Sequence, residues 1–378
     1  MNKNTRYLIW GYYGFGNLGD DLMLGVIVRK IKCVHPDALI YVTCASVCQK
    51  EIIIPINFKK NLDKLWFISP AVYVCRLVVA VLKVDKIIIG GGTLFLDRGR
   101  PNLSMLSMCV AIFISKVFSK EVYLVGVGID NLSLFINKIF LKYIIKNSGF
   151  VSVRDNFSFS VASNIVKRAN IEKASDVVFD SKFVESLQKN KENGKNYIIL
   201  ALCEYDKLGK GREELHKFQV RSFELVESLL KKWGSKYKIV LCAFQNNKGD
   251  CDYQFLSGIS GDIISKYPEF SERLLSKYIQ REEQIKEYIG QAIFTISNRY
   301  HALVLSAILK VPFMGVRIEV KISEICNRFG MPFIEEGEYI KKGIGIDDLE
   351  VVETMKIDEQ VLFKCIEEAN GNFKWQGN

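Results

Sequence analysis

Histidine is scarce in this 378-residue chain, which has only His35, His216 and His301, and no two of its ten cysteines stand in a C-x-x-C pair. Zinc cages need such residues at close spacing, so no metal centre is expected. The cysteines are scattered through apolar runs and read as reduced core thiols. Long uncharged apolar runs are also missing: Leu65 to Leu82 carries Arg76, and Leu103 to Phe118 carries Lys116. Both fall short of a membrane span and are expected as buried helices, with a helix lying on a membrane surface as the alternative. Blocks of like charge are absent too. The net charge of +10 comes from scattered pairs such as Lys231/Lys232 and Lys341/Lys342, with no zinc-finger or RNA-recognition signature, so nucleic acid is not an expected partner. Residues Asn2 to Arg6 are polar or charged, and no signal-type apolar segment precedes the first strand. The expected location is therefore cytoplasmic, with the positive charge permitting peripheral contact at an anionic inner membrane face.

Hydrophobic residues make up 49% of the chain and charged ones 25%, the balance of a folded globular protein. The length exceeds the roughly 250 to 300 residues at which one core stops growing, so two domains are expected. Short apolar runs alternate with segments of helical period, the mark of a doubly wound α/β sheet. In the first half, strands are expected at Tyr7–Trp10, Leu39–Thr43, Lys86–Ile89, Val122–Val127, Phe150–Val153 and Val177–Phe179, and helices at Asp21–Lys32 and Ser158–Arg168. Residues Ser181 to Asn196 turn polar and lysine-rich and read as an exposed linker. The pattern then restarts with Tyr197–Leu202, Lys238–Ala243, Ala292–Ile296 and Pro312–Val316. The expected fold is α/β, with two Rossmann-like domains, 1–185 and 196–378, facing across a cleft in a GT-B-like arrangement.

Glycine clusters follow two of these strands. Gly14-x-Gly16-Asn17-x-Gly19 with Asp20 and Asp21 leads from the first strand into a helix, where backbone amides can approach phosphate or carboxylate. A nicotinamide enzyme would need an acid ending the second strand, and Val42-Thr43-Cys44-Ala45-Ser46 has none. Gly90-Gly91-Gly92-Thr93, closed by Asp97, has more glycines than a bare turn requires and suggests close approach to a ligand. Arg154 follows the strand Phe150–Val153, a place suited to gripping an anion or to an ion pair with Asp155. In Ser297-Asn298-Arg299-Tyr300-His301-Ala302 a strand stops and an apolar helix begins. There Asn298 can cap, while Arg299 and His301 join the helix's positive end. Lys321, beyond the next strand, can meet a second anionic oxygen or serve as a solvated charge.

In this order the motifs resemble those of the polysaccharide pyruvyl transferases along nearly all of the first 330 residues: Gly11-Tyr-Tyr-Gly-x-Gly-Asn-x-Gly19-Asp20, Gly90-Gly-Gly-Thr93 with Asp97, Ser152-Val-Arg154-Asp155, and Ser297-x-Arg299-x-His301-Ala302. The resemblance implies transfer of the enolpyruvyl unit of phosphoenolpyruvate, as co-substrate with no further cofactor, to a saccharide acceptor that can be lipid-linked. It implies donor contacts at Arg154, Arg299 and His301, a catalytic role for His301 and an important acid at Asp20, expected here as catalytic; Tyr300 and Lys321 are expected as further donor contacts. Ligand contacts of the glycine loops fall at Gly16, Asn17, Gly19, Gly91, Gly92 and Thr93. The chain departs from the family's usual pattern at Asp21, Tyr300 and Glu319-Val320, where Glu, Leu and Asp-Pro are common. The rival readings are a nucleotide-sugar glycosyltransferase on the same architecture and a non-catalytic glycan-assembly protein.

Overall fold

A strand covered on both faces has no reason to alternate in polarity. Ile87-Ile88-Ile89 and Ile198-Ile199-Leu200 are such strands, fully buried within parallel sheets. The structure, a computed structural model, describes residues 4–44, 53–55, 69–97, 99–167, 170–189, 194–204, 211–247 and 250–377. The chain divides into two compact units, Met1–Asp180 with Cys365–Asn378, and Ser181–Lys364.

The first unit contains β1 (Arg6–Tyr13), β2 (Leu39–Cys44), β3 (Ile53–Pro55), β4 (Lys86–Gly90), β5 (Thr93–Phe95), β6 (Glu121–Ile129), β7 (Phe150–Val153) and β8 (Ile171–Lys173). They form one sheet in the order β3-β2-β1-β4-β6-β7-β8, with β5 beside β6. The helices are α1 (Leu18–Val34), α2 (Ser69–Lys83), α3 (Leu103–Val117), α4 (Phe135–Lys146) and α5 (Asn156–Ile165). Helices α2 to α5 pack Val81, Ile112, Ile144 and Ala162 against one sheet face, on Leu8, Ile87, Leu124 and Val151. Helix α1 leads the other way along the sheet, and right-handed crossovers therefore put it on the opposite face.

The second unit starts with α6 (Ser181–Gln188) and β9 (Tyr197–Ala201), then α7 (Arg212–Trp233), β10 (Lys238–Ala243) and the antiparallel pair β11 (Asn246–Asn247) and β12 (Asp250–Cys251). It continues through α8 (Asp252–Lys266), β13 (Leu274–Tyr278), α9 (Glu282–Gln284), β14 (Ala292–Ser297), α10 (Tyr300–Ile308), β15 (Phe313–Arg317), α11 (Val320–Arg328) and β16 (Phe333–Glu335). Helices α12 (Glu336–Lys342) and α13 (Ile346–Thr354) follow, and α14 (Glu359–Ala369) begins in this unit and ends in the first. The sheet order is β13-β10-β9-β14-β15-β16. Each sheet thus reverses its strand order once, between β1 and β4 and between β9 and β14. The carboxyl ends of strands at such a reversal are where open α/β sheets hold ligands.

Four expectations are corrected. Val177–Phe179 is a 3₁₀ turn rather than a strand, because Asp176 caps it by accepting the Val178 N–H at 3.0 Å; the edge strand is β8. Part of the expected linker is helical: α6 buries Phe183, Val184 and Leu187 in the second unit, while residues 190–193 lie outside the described residues. The domain expected to run from 196 to 378 ends at Lys364, because the tail belongs to the first unit. There Trp375 stacks on Tyr123 at 4.9 Å, and Asn372 Nδ2 donates to the Ser175 carbonyl at 2.8 Å. The apolar segments expected as buried helices are buried on one side only: α3 exposes Leu103, Phe113 and Val117. Residues 65–68 of the first segment, like Arg168 at the end of the other expected helix, lie outside the described residues. Among the cysteines, Cys44, Cys203, Cys242, Cys326 and Cys365 are buried, whereas Cys33 and Cys75 are exposed.

Candidate functional site

The reversal of the first sheet carries both glycine loops. Gly14 and Gly16 have φ of 71° and 72°, left-handed values that favour glycine, and they turn the chain from β1 into α1. Asn17 caps the helix by accepting the Gly19 N–H at 3.2 Å. The two adjacent acids divide the work. Asp21 Oδ1 accepts the Gly14 N–H at 2.8 Å and so closes the loop. Asp20, 7% exposed, faces the second loop instead.

That second loop is shaped around Asp20. Gly91 and Gly92 have φ of 72° and 69°, and a Cβ at Gly92 would stand 2.5 Å from Asp20 Oδ1. The next residue, Thr93, accepts at Oγ1 from Arg154 Nη2 at 2.9 Å. Arg154 is only 3% exposed and its Nη1 donates to Asp176 at 3.1 Å, with Asp155 at 3.6 Å from Nε. A buried guanidinium needs a carboxylate partner, and Asp176 supplies one that fixes Arg154 beneath Thr93. Gly128 makes room for it, since a Cβ there would stand 2.9 Å from Nη2. Asp97 points elsewhere: it accepts from Ser133 Oγ at 2.7 Å and the Leu134 N–H at 2.8 Å, at the start of α4. Partial burial works against its charge, but these donors outweigh it and hold the carboxyl down at about 2.

Gly92→Ala is expected to displace Asp20 and also to lose about 1–2 kcal/mol through left-handed strain. Gly99 provides the control, with φ of 69° and no atom within 4 Å of its notional Cβ. Gly99→Ala should show the strain alone in urea unfolding, while Gly92→Ala should show a larger loss and impaired turnover.

In the second unit the reversal lies between β9 and β14, and the Asn298 side chain bridges it. Its Oδ1 accepts the Cys203 N–H at 2.8 Å and its Nδ2 donates to the Cys203 carbonyl at 2.9 Å. Asn298 therefore clamps two strand ends, and the N-cap of α10 is Arg299. The Arg299 N–H donates to Ser297 Oγ at 2.8 Å. The guanidinium makes a two-point pair with Asp252, from Nε at 2.9 Å and from Nη2. Asp252, 2% exposed at the start of α8, also accepts the Phe244 and Gln245 N–H groups at 3.3 and 3.1 Å. His301, half-buried, follows in the first turn of α10, edge-on to the buried Tyr300 at 5.3 Å. Lys321 stands in the first turn of α11, paired with Glu319.

A family model for polysaccharide pyruvyl transferase matches residues 17–319, more than half of the chain. The chain belongs to the polysaccharide pyruvyl transferase family. No curated protein matches it. Solved structures with a similar fold include the UDP-GlcNAc 2-epimerase of Methanocaldococcus jannaschii, with 12% identity, 99% of each chain covered and a TM-score of 0.62. The UDP-GlcNAc 2-epimerase of Neisseria meningitidis has 11% identity, 97% of this chain and 98% of that chain covered, and a TM-score of 0.58. A glycosyltransferase of Rickettsia africae has 12% identity, 99% and 97% covered, and a TM-score of 0.56. At these identities the likeness concerns the two-domain α/β fold, which is the GT-B-like class expected.

Within this pyruvyl transferase family member, Asp20, Gly92, Thr93 and Arg154 form one connected group in the first unit, and Arg299, Tyr300 and His301 begin α10 in the second. The carboxylates that orient the two arginines, Asp176 and Asp252, carry no local motif. Each lies 22 or 47 residues from its partner, a pairing that only the fold reveals.

Proposed function

We propose that this chain moves the enolpyruvyl unit of phosphoenolpyruvate to hydroxyls of a saccharide acceptor and releases inorganic phosphate. The observation that carries this reading is the start of α10, where a guanidinium locked by Asp252 stands two residues before an imidazole at the sheet's reversal point. A helix N-terminus with a fixed arginine suits a carboxylate or phosphate, and the imidazole suits proton transfer. One acceptor hydroxyl adds to carbon 2 of the donor, its proton is taken up, and carbon 3 is protonated. The bond from carbon 2 to the phosphate oxygen then breaks. A second hydroxyl adds to carbon 2 and loses its proton, closing a ketal. In this reading Lys321 leaves the partly exposed Glu319 for the donor phosphate, an exchange of small cost because such pairs are worth little. Arg154 holds Thr93 beside Asp20 on the acceptor side, and a lipid-linked acceptor would bring the enzyme to the inner membrane face.

The test is calorimetric titration with phosphoenolpyruvate and, in parallel, with uridine and guanosine diphosphates. Phosphoenolpyruvate should bind wild type and bind Arg299→Ala at least tenfold more weakly. Binding of a nucleotide alone would instead favour a nucleotide-sugar reaction, which the names of the structurally similar epimerases and glycosyltransferase keep in view.

A further inference from the structure

We infer that the outer surface of α2, α3 and α4 is a docking face for an anionic lipid bilayer. The inference is independent of the donor's identity. These helices lie side by side on one face of the first sheet, α2 against α3 and α3 against α4. Their inward residues fill the core, and among their described outward residues are several large apolar side chains where water would favour polar ones. On α3, Leu103 is 72% exposed, Phe113 61% and Val117 62%; on α4, Phe135 is 77% exposed. Val79 and Leu82 of α2 and Ile139 of α4 extend the same surface. Scattered exposed apolar residues are ordinary, but a patch shared by three adjacent helices marks an interaction surface.

Charge selects the partner. The three helices carry Arg76, Lys83, Lys116, Lys138, Lys142 and Lys146 and no Asp or Glu, although the whole chain has 42 acids. Phe135, Ile139, Lys142 and Lys146 fall at i, i+4, i+7 and i+11, so one stripe of α4 is apolar at its start and cationic at its end. All four are exposed. Such a stripe fits a bilayer interface, with apolar side chains among the acyl chains and lysines reaching lipid phosphates. A second copy fits poorly, because a two-fold contact through this face would set cations against the same cations. The helices lie on the bilayer rather than cross it: α3 is 15 residues, about 22 Å against a hydrocarbon core of about 30 Å.

The face is also held in shape. Asp97 receives the start of α4, and Asn137 Oδ1 accepts the N–H of Asn102, the cap of α3, at 2.9 Å. Both helix starts are thereby tied together before any lipid arrives.

Flotation of the full chain with vesicles tests the proposal, using phosphatidylcholine alone and phosphatidylcholine mixed with phosphatidylglycerol. Wild type should float with the mixed vesicles and far less with the neutral ones. The triple variant Lys138→Gln/Lys142→Gln/Lys146→Gln should lose about 100-fold in partitioning, from three lysines near an anionic surface. Phe113→Ser/Val117→Ser/Phe135→Ser should also lose binding, with an unchanged circular dichroism spectrum; if it does not fold, the glutamine variant decides alone. Failure of wild type to float, or flotation of the glutamine variant at the wild-type level, would overturn the proposal. So would a wild-type oligomer that the serine variant dissociates without any vesicle binding, which would assign the face to a second copy.

Discussion

His301→Ala is expected to lower turnover by about 10²- to 10⁴-fold, the usual loss when a positioned proton-transfer group is removed, while donor affinity stays near wild type. The separation follows from how the helix start is built. The imidazole sits in the first turn of α10, whose remaining residues, Ala302 to Ile308, are all buried, so the helix is held by its core and not by His301. On the proposed reading, anion binding at the same place rests on Arg299, which Asp252 fixes independently. Calorimetry with phosphoenolpyruvate and a phosphate-release assay on one preparation read the two properties separately. A loss of only a few-fold would make His301 an orienting group, and near-normal turnover would remove it from the mechanism. Loss of donor binding in step with turnover would point to a contact made in the ground state.

Much of this is legible in the sequence. Runs such as Lys86-Ile-Ile-Ile89 identify parallel strands because burial on both faces removes alternation, and the glycine loops declare themselves because left-handed backbone favours glycine. Val177-Val178-Phe179 reads as a strand for the same reason: three apolar residues in a row have no period, and the deciding hydrogen bond is the one that Asp176 accepts from the Val178 N–H. The outward stripe of α3 was hidden differently. Its residues are apolar on both sides, and hydropathy alone cannot tell a helix face turned to a core from one turned to another partner. At the site, local sequence marked residues beside strand ends and helix starts, Asp20, Arg154, Arg299 and His301, and Thr93, which opens β5 after the glycine loop. It missed Asp176 and Asp252, because an ion pair between distant segments leaves no mark on either one. It left Arg154 between an anion grip and an ion pair, since burial is a property of the fold.

Asp252→Ala is expected to destabilise the protein by about 3–5 kcal/mol, the range for breaking a buried ion pair by removing one partner. Two losses combine. The carboxylate is the two-point partner of Arg299 and also accepts the Phe244 and Gln245 N–H groups. Asp252→Asn keeps an oxygen for those amides but not the charge, so it should fall between wild type and Asp252→Ala in urea unfolding. The cycle with Arg299→Ala separates the terms. Once the guanidinium is gone, deleting the carboxylate strands no charge, so the double variant should be more stable than the sum of the singles by about 1.5–3 kcal/mol, within the coupling found for contacting residues. Donor affinity should follow a different order: Asp252→Asn, with Arg299 present but unanchored, should bind phosphoenolpyruvate more weakly than wild type and more tightly than Arg299→Ala. Strict additivity in stability would mean that the pair contributes no coupling. Wild-type donor affinity in Asp252→Asn would mean that Arg299 needs no anchor to meet its ligand.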